Sequence, residues 1–363
     1  MGAPAFQYAE LFKKGKVRVL SSNYALYGDM SQRVMSVLAM FGHEMQEYSI
    51  DEAFLQLEVH DPIETARDIK RTVALWTGIP VSVGIGSTKT LAKLANDIAK
   101  KKEEGVYALV KPEGIDSAMR RLSVQEVWGI GSQLGAALHA CGIDNVLTLK
   151  NTPDSYLKSR FSVTLLKTVW ELRGISCLTI HNTLPMRKSI TCSRSFGAPV
   201  EALADLEEAL SSYAAKVGED LRIEGLMASS AMIFLMTSPH RTPCYSSSAV
   251  CVLEEPTQDT VLLIASAKKA LRSIYRVGYL YKKVGITLAG IVPKACYQMD
   301  LFHANRDQEK RQRALSAYDE VRQRFGSDVL RFAAEGIKQH WRMKRGNVSQ
   351  RFTTCWDELL TVQ

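Results

Sequence analysis

The chain has 363 residues, more than the ~250–300 that a single hydrophobic core usually serves, so more than one domain is expected. Its 46% hydrophobic and 23% charged residues fit an ordinary globular protein, and no apolar run approaches the ~18 residues needed to cross a bilayer as a helix. The formal net charge of +8 admits a polyanionic partner without requiring one.

In chain order, "MGAPAFQYAELFKKGK" has no apolar core of a secretory leader and no Ser or Thr at position 6 for myristoylation. "VRVL", residues 17–20, reads as a short strand. Met30, Val34, Leu38 and Phe41 have helical spacing. "HEMQEYS" and "AFLQLEV" then read as a hairpin with Asp51 and Glu52 at or beside its tip. A helix starting at Pro62, a strand "PVSVGIG", a helix "TKTLAKLANDIAKK" and a strand "GVYALV" follow, which indicates helices layered on a sheet. From Val124 to Leu149 the pattern changes to helix, tight glycine turn, helix and glycine stop, a small all-helical module.

"HNTLPMRK", residues 181–188, reads as a linker. After it comes the order β-α-β-β-α-β, from "SITCSRSF" to "YKKVGITLAGIV", which predicts a ferredoxin-like split βαβ domain. The tail from Cys296 has helical stretches but too little apolar material for a separate large core. The basic excess is concentrated late: residues 179–295 hold 13 basic and 10 acidic side chains, and 296–363 hold 12 and 9. The cysteines at 141, 177, 192, 244, 251, 296 and 355 form no C-x-x-C pair, which predicts free thiols in a reducing compartment and no zinc knuckle.

Four motifs carry chemistry, each with a plainer alternative. Adjacent carboxylates are costly without a cation between them, so "DE" at 51–52 is either a solvated turn or half of a metal site. "VWGIG", Val127 to Gly131, either grips a phosphate backbone through turn amides and the following helix N-terminus, or is a simple αα-hairpin. Lys89, Lys93 and Lys100 share a helix face that meets a triphosphate or DNA, or is merely solvated. "QMDLF", Gln298 to Phe302, is a peptide anchor for a partner's groove or a tail packed on its own domain.

The order of "SSNYALYGDMSQRVM", "YSIDEAF", "VGIGSTKTLAKLANDIAKK", "VWGIG", "CSRSF" and "QMDLF" resembles that of Y-family DNA polymerases, and among them the UmuC-type catalytic subunits of bacterial DNA polymerase V. The closing "WRMKRGNVSQRFTTCWDELLTV" resembles the C-terminal segment of that subfamily. The resemblance implies an α+β multidomain fold: a remnant of fingers over 1–22, an incomplete palm over 23–112, and a helix-hairpin-helix thumb over 113–178. A linker at 179–188, a ferredoxin-like little finger over 189–295, and a clamp-binding peptide with the C-terminal segment over 296–363 complete it.

The resemblance further implies error-prone translesion DNA synthesis in the SOS response by a two-Mg²⁺ nucleotidyl transfer, in the cytoplasm at the nucleoid. Asp51 and Glu52 are similar to the family's metal and catalytic carboxylates, and Lys100 to the lysine that contacts the incoming triphosphate. Gly129, Ile130, Gly131 and Arg194 match DNA-contacting positions, and Gln298, Met299, Leu301 and Phe302 match the sliding-clamp peptide. The implied partners are primer-template DNA, deoxynucleoside triphosphates, the sliding clamp, a UmuD-type accessory dimer and RecA, with no membrane. One departure stands out. The family's opening "D-x-N-x-F" strand, with its first metal aspartate, has no counterpart here. That predicts exposed sheet edges and impaired catalysis. The rival expectation is a non-catalytic protein that binds DNA and the clamp. A metal nuclease is a weaker third, because no histidine or further acid clusters near Asp51.

Overall fold

The structure, a computed structural model, describes residues 3–42, 44–180, 186–297, 306–326, 328–343 and 345–361. Two compact units are present. One comprises Met1–Leu184 with Asn347–Gln363, and the other Pro185–Gly346.

In the first unit, α1 (Ala9–Lys14) precedes α2 (Tyr24–Leu38). The Asn23 side chain caps α2, accepting from Leu26 N–H at 3.3 Å. The strands β1 (Glu44–Ser49) and β2 (Glu52–Gln56) pair antiparallel, with a register shift between Glu47 and Ser49. Next, α3 (Pro62–Thr77) opens on Asp61, which accepts from the N–H groups of Ile63 and Glu64, and stops at Gly78 with φ 70°. Its Ile69 and Val73 bury against Val34 and Val37 of α2. Full burial of one such side chain is worth roughly 1.5–3 kcal/mol.

The strands β3 (Val83–Gly86) and β4 (Val106–Leu109) are parallel and flank α4 (Lys89–Ala99). Here glycine is required by close approach. A Cβ on Gly84 would sit 2.1 Å from Asn96 N and 2.3 Å from Ala92 O, so α4 lies directly on the strand backbone.

The helices α5 (Pro112–Arg121), α6 (Ser132–Ala140), α7 (Val146–Asn151), α8 (Asp154–Arg160) and α9 (Val163–Leu172) then close a second core. Leu138, Leu149, Leu157 and Val169 meet Leu91 and Leu94 of α4 there.

The second unit is one antiparallel sheet with two helices: β5 (Ser189–Val200), α10 (Leu203–Ile223), β6 (Leu226–Thr237), β7 (Ser246–Thr257), α11 (Thr260–Ile274) and β8 (Tyr281–Pro293). The strand order β5-β8-β6-β7 splits each βαβ crossover with one strand of the other, as the sequence pattern predicted. Leu206, Leu210 and Leu221 of α10, and Leu263 and Leu271 of α11, pack on Ile233, Leu235, Ile286 and Leu288 of the sheet. α12 (Arg306–Phe325) is fixed to α10 by Arg222, whose guanidinium donates to both oxygens of Asp319 at 2.5 and 2.8 Å. Trp341 joins this unit's core, packing edge-on against Tyr213.

Two local expectations are corrected. Residues 17–20 are not a strand. Val17, Val19 and Leu20 are exposed, and the nearby ladder contact is one isolated parallel bridge from Ser21 to Val348. The helix expected before the glycine turn is only a three-residue 3₁₀ turn, Val124–Glu126, held by a Ser123–Glu126 capping box. In the tail, Trp341 is buried in the second unit's core, and the Asn23 amide of the first unit donates to the Ser349 and Gln350 carbonyls. All seven cysteines are free.

Candidate functional site

Asp51 lies in the two-residue tip between β1 and β2, and Glu52 opens β2 opposite Ser49. Asp51 is exposed, and one of its oxygens accepts from the Ser49 hydroxyl at 2.5 Å. Glu52 is half-buried. Lys93 Nζ donates to both its carboxylate oxygens at 2.7 Å, and Lys100 Nζ stands 3.9 Å away. Lys93 comes from the middle of α4, while Lys100 caps the C-terminal end of that helix and also faces Asp97 at 3.5 Å.

The lysine face is therefore not simply solvated. Lys89 is buried, donating to the Gln46 side chain and, at 2.6 Å, to the Thr179 carbonyl. Burial pushes its ammonium below the ordinary lysine value, and the Glu171 charge acts in the opposite direction. Glu171 is fully buried. Its carboxylate accepts from Thr90 N–H at 3.0 Å, at the N-terminus of α4, and from Cys177 and Leu178 N–H at 2.6 and 3.0 Å. A carboxylate at a helix N-terminus is favoured by the helix dipole. It fixes the N-terminal end of α4, from which Lys89 projects. Nothing in "VWELRGIS" signalled that role, because one acid in a helical run reads as a surface residue.

The glycine turn abuts the same hairpin. Trp128 Nε1–H donates to the Tyr48 hydroxyl at 3.1 Å. Its ring meets Tyr48 edge-on at 5.3 Å and Phe54 at 5.6 Å. Lys93 Nζ lies 5.6 Å from the Tyr48 ring centre and Lys89 Nζ 5.2 Å from that of Phe54. Gly129 has φ 86°, a left-handed conformation that favours glycine. Gly131 has φ −82° and precedes α6; a Cβ on it would meet nothing within 4 Å, so its backbone is open to approach. Ile130 is buried under the turn. Glu126 is held below the usual glutamate range by the Lys101 ammonium at 2.7 Å; burial opposes this, and the Ser123 N–H reinforces it.

Asp51, Glu52, Lys100 and the 127–131 turn thus all belong to one unit. Arg194 lies on β5 of the other, exposed, with its guanidinium donating to the Ser193 carbonyl at 2.8 Å. Gln298, Met299, Leu301 and Phe302 lie outside the described residues. Among the described residues, no group of three or more His, Cys, Asp or Glu side chains is arranged to hold a metal ion. The donor set that is present still suits a hard divalent cation, which takes one or two protein carboxylates and completes its shell with water and phosphate oxygens. Among the described residues no helix is long and apolar enough to cross a membrane.

The "impB/mucB/samB family" model matches residues 1–97, and the model of that family's C-terminal domain matches 187–301. A domain of unknown function matches 312–362. The chain is 38% identical to Protein UmuC of Salmonella typhimurium over 100% of its length and 88% of the relative's. It is 28% identical to DNA polymerase IV of Moorella thermoacetica, covering 84% of this chain and 75% of that one. Among solved structures it resembles a Y-family DNA polymerase chimera, Dbh-Dpo4(243-245)-Dbh, with a TM-score of 0.58 and 20% identity over 75% of this chain and 78% of the other. That last likeness establishes a shared fold.

Proposed function

The chain belongs to the impB/mucB/samB family, and on that premise we propose that it performs error-prone, template-directed DNA synthesis across damaged bases. The observation that carries this reading is the convergence on Glu52. Glu52 meets Lys93 at 2.7 Å and Lys100 at 3.9 Å, next to Asp51 at the hairpin tip and beside a glycine turn bonded to the same hairpin. Residues 23–112 serve as the palm, 113–178 as the thumb and 189–295 as the little finger.

Asp51 and Glu52 would hold magnesium, two ions in the full catalytic arrangement. When bound, the metal supplies charge stabilisation at the transferring phosphate and activation of the primer hydroxyl. The chain's own groups do the rest. Lys93 fixes the Glu52 carboxylate in direction through bonds to both its oxygens. Lys100, half exposed and 3.9 Å from Glu52, would neutralise an incoming triphosphate. The exposed amides of Gly131 and the first turn of α6 receive a DNA phosphate without reading bases. Arg194 adds a phosphate contact from the little finger. We assign primer-template DNA and deoxynucleoside triphosphates as substrates. The sliding clamp, through Gln298, Met299, Leu301 and Phe302, together with a UmuD-type dimer and RecA, completes the set of partners.

Single-nucleotide addition to a primer opposite an intact or abasic template tests the proposal. A divalent-metal-dependent product is expected. It should be lost in Asp51→Ala with DNA binding intact. Addition that survives Asp51→Ala, or a folded chain that fails to bind primer-template, contradicts it.

A further inference from the structure

The contact between Trp128 and Tyr48 joins the two halves of the proposed site. Trp128 sits in the glycine turn, one residue before Gly129. Tyr48 lies within the register shift of β1, between Glu47 and Ser49. A strand is locally distorted at such a point, and the side chain there is re-aimed relative to a regular ladder. The Tyr48 hydroxyl accepts from Trp128 Nε1–H at 3.1 Å, and Lys93 Nζ lies 5.6 Å from the same ring while gripping both oxygens of Glu52 at 2.7 Å. A continuous chain of contacts therefore runs from the turn to the carboxylate: Trp128, Tyr48, Lys93, Glu52. Phe54 closes it from below, 5.9 Å from Tyr48 and 5.6 Å from Trp128.

We propose that Trp128 is a positioning residue: its indole N–H orients the Tyr48 ring, and through that ring the Lys93–Glu52 pair, so that engagement of the turn by a DNA phosphate is felt at the carboxylate. This rests on the polymerase reading given above. Three features single out Trp128. The ring is half-buried between the hairpin and the turn, so movement of either one shifts it. The indole is a donor only, and Tyr48 supplies the acceptor, so the bond has one direction and one geometry. The cationic group over Tyr48 is the same group that holds Glu52, so rotation of the ring changes the seat of Lys93 directly.

The test uses the full chain with Trp128→Phe, which keeps a ring and removes the donor, Tyr48→Phe, which removes the acceptor, and the double variant. Three quantities are measured: affinity for a primer-template, the single-turnover addition rate separately from the nucleotide KM, and the tryptophan emission change on DNA binding. The expected result is DNA affinity within twofold of the parent and an addition rate about fivefold lower in either single variant, the scale of one hydrogen bond. The double variant should be no slower than the singles, because both remove the same bond. The parent's emission change should be lost in Trp128→Phe and reduced in Tyr48→Phe. Unchanged rates, additive losses, or DNA affinity falling in step with rate overturns the proposal, since the last is what mere packing gives. If addition by the parent is too slow to measure, the emission arm decides: no DNA-dependent signal from Trp128 overturns it. Failure of the parent to bind DNA instead sinks the polymerase reading and the coupling together.

Discussion

Lys93 Nζ lies 2.7 Å from both carboxylate oxygens of Glu52, with only 16% and 25% of the two side chains exposed. Removing one partner of a partly buried pair leaves the other desolvated and unpaired. Lys93→Met should lower stability by about 1–2 kcal/mol, less than the full buried-pair cost because water still reaches the site. Adding Glu52→Gln should recover part of that loss. A denaturant titration of the two singles and the double reads the coupling, and strict additivity would show the pair contributes nothing.

Gly84 permits α4 to rest on β3, where a Cβ would approach Asn96 N to 2.1 Å. Backbone is not a neighbour that can swing aside. Gly84→Ala should cost at least ~1–3 kcal/mol, the range of an overpacked core. Gly114, where a Cβ meets nothing within 4 Å, is the control. Equal melting temperatures for the two alanine variants would contradict the close approach.

Asn23 is 3% exposed and donates to the Ser349 and Gln350 carbonyls and the Ser349 hydroxyl at 3.0–3.2 Å, while its own oxygen caps α2. Asn23→Ala leaves those acceptors short of a donor and removes the cap. A loss of about 1–2 kcal/mol is expected, with faster proteolysis inside 347–361. Cleavage at the parent's rate would mean the contact holds nothing.

Glu126 provides a pH signature. Its pKa is lowered in the fold, by the Lys101 ammonium first, so the stabilisation is fully present above the ordinary glutamate pKa of about 4.3. It is lost as pH falls through the lower folded value. The stability difference between the parent and Glu126→Gln should therefore be constant at neutral pH and shrink in acid. A difference that grows on acidification reverses the sign and rejects the assignment.

The element order was largely legible because hydrophobic period and glycine or proline punctuation are local. The β-α-β-β-α-β domain is the clearest case. What failed was decided by neighbours distant in sequence. "VRVL" has the composition of a strand, yet the partner that would make it one is lacking among the described residues, apart from the single bridge from Ser21 to Val348. For Lys89 and Lys93 the spacing left a solvated and a ligand-facing reading open, because it could not show the hairpin that covers them. Glu171 was invisible in part for the same reason, since the donor that ties it to α4, Thr90 N–H, lies 81 residues away. Asp51 and Glu52 were legible as a pair, but not Lys93, which is bonded to Glu52 from 41 residues away.

We propose that Asp51, Glu52 and Lys100 form the seat of a metal-bound nucleotide on DNA. Equilibrium binding of a deoxynucleoside triphosphate to the chain with a dideoxy-terminated primer-template, with magnesium and with a chelator, tests this without depending on the rate of chemistry. Magnesium-dependent binding of the template-matched nucleotide is expected, weakened at least tenfold by Asp51→Ala and by Lys100→Ala, with primer-template affinity unchanged in both. Nucleotide binding that is indifferent to magnesium and to both substitutions would contradict it.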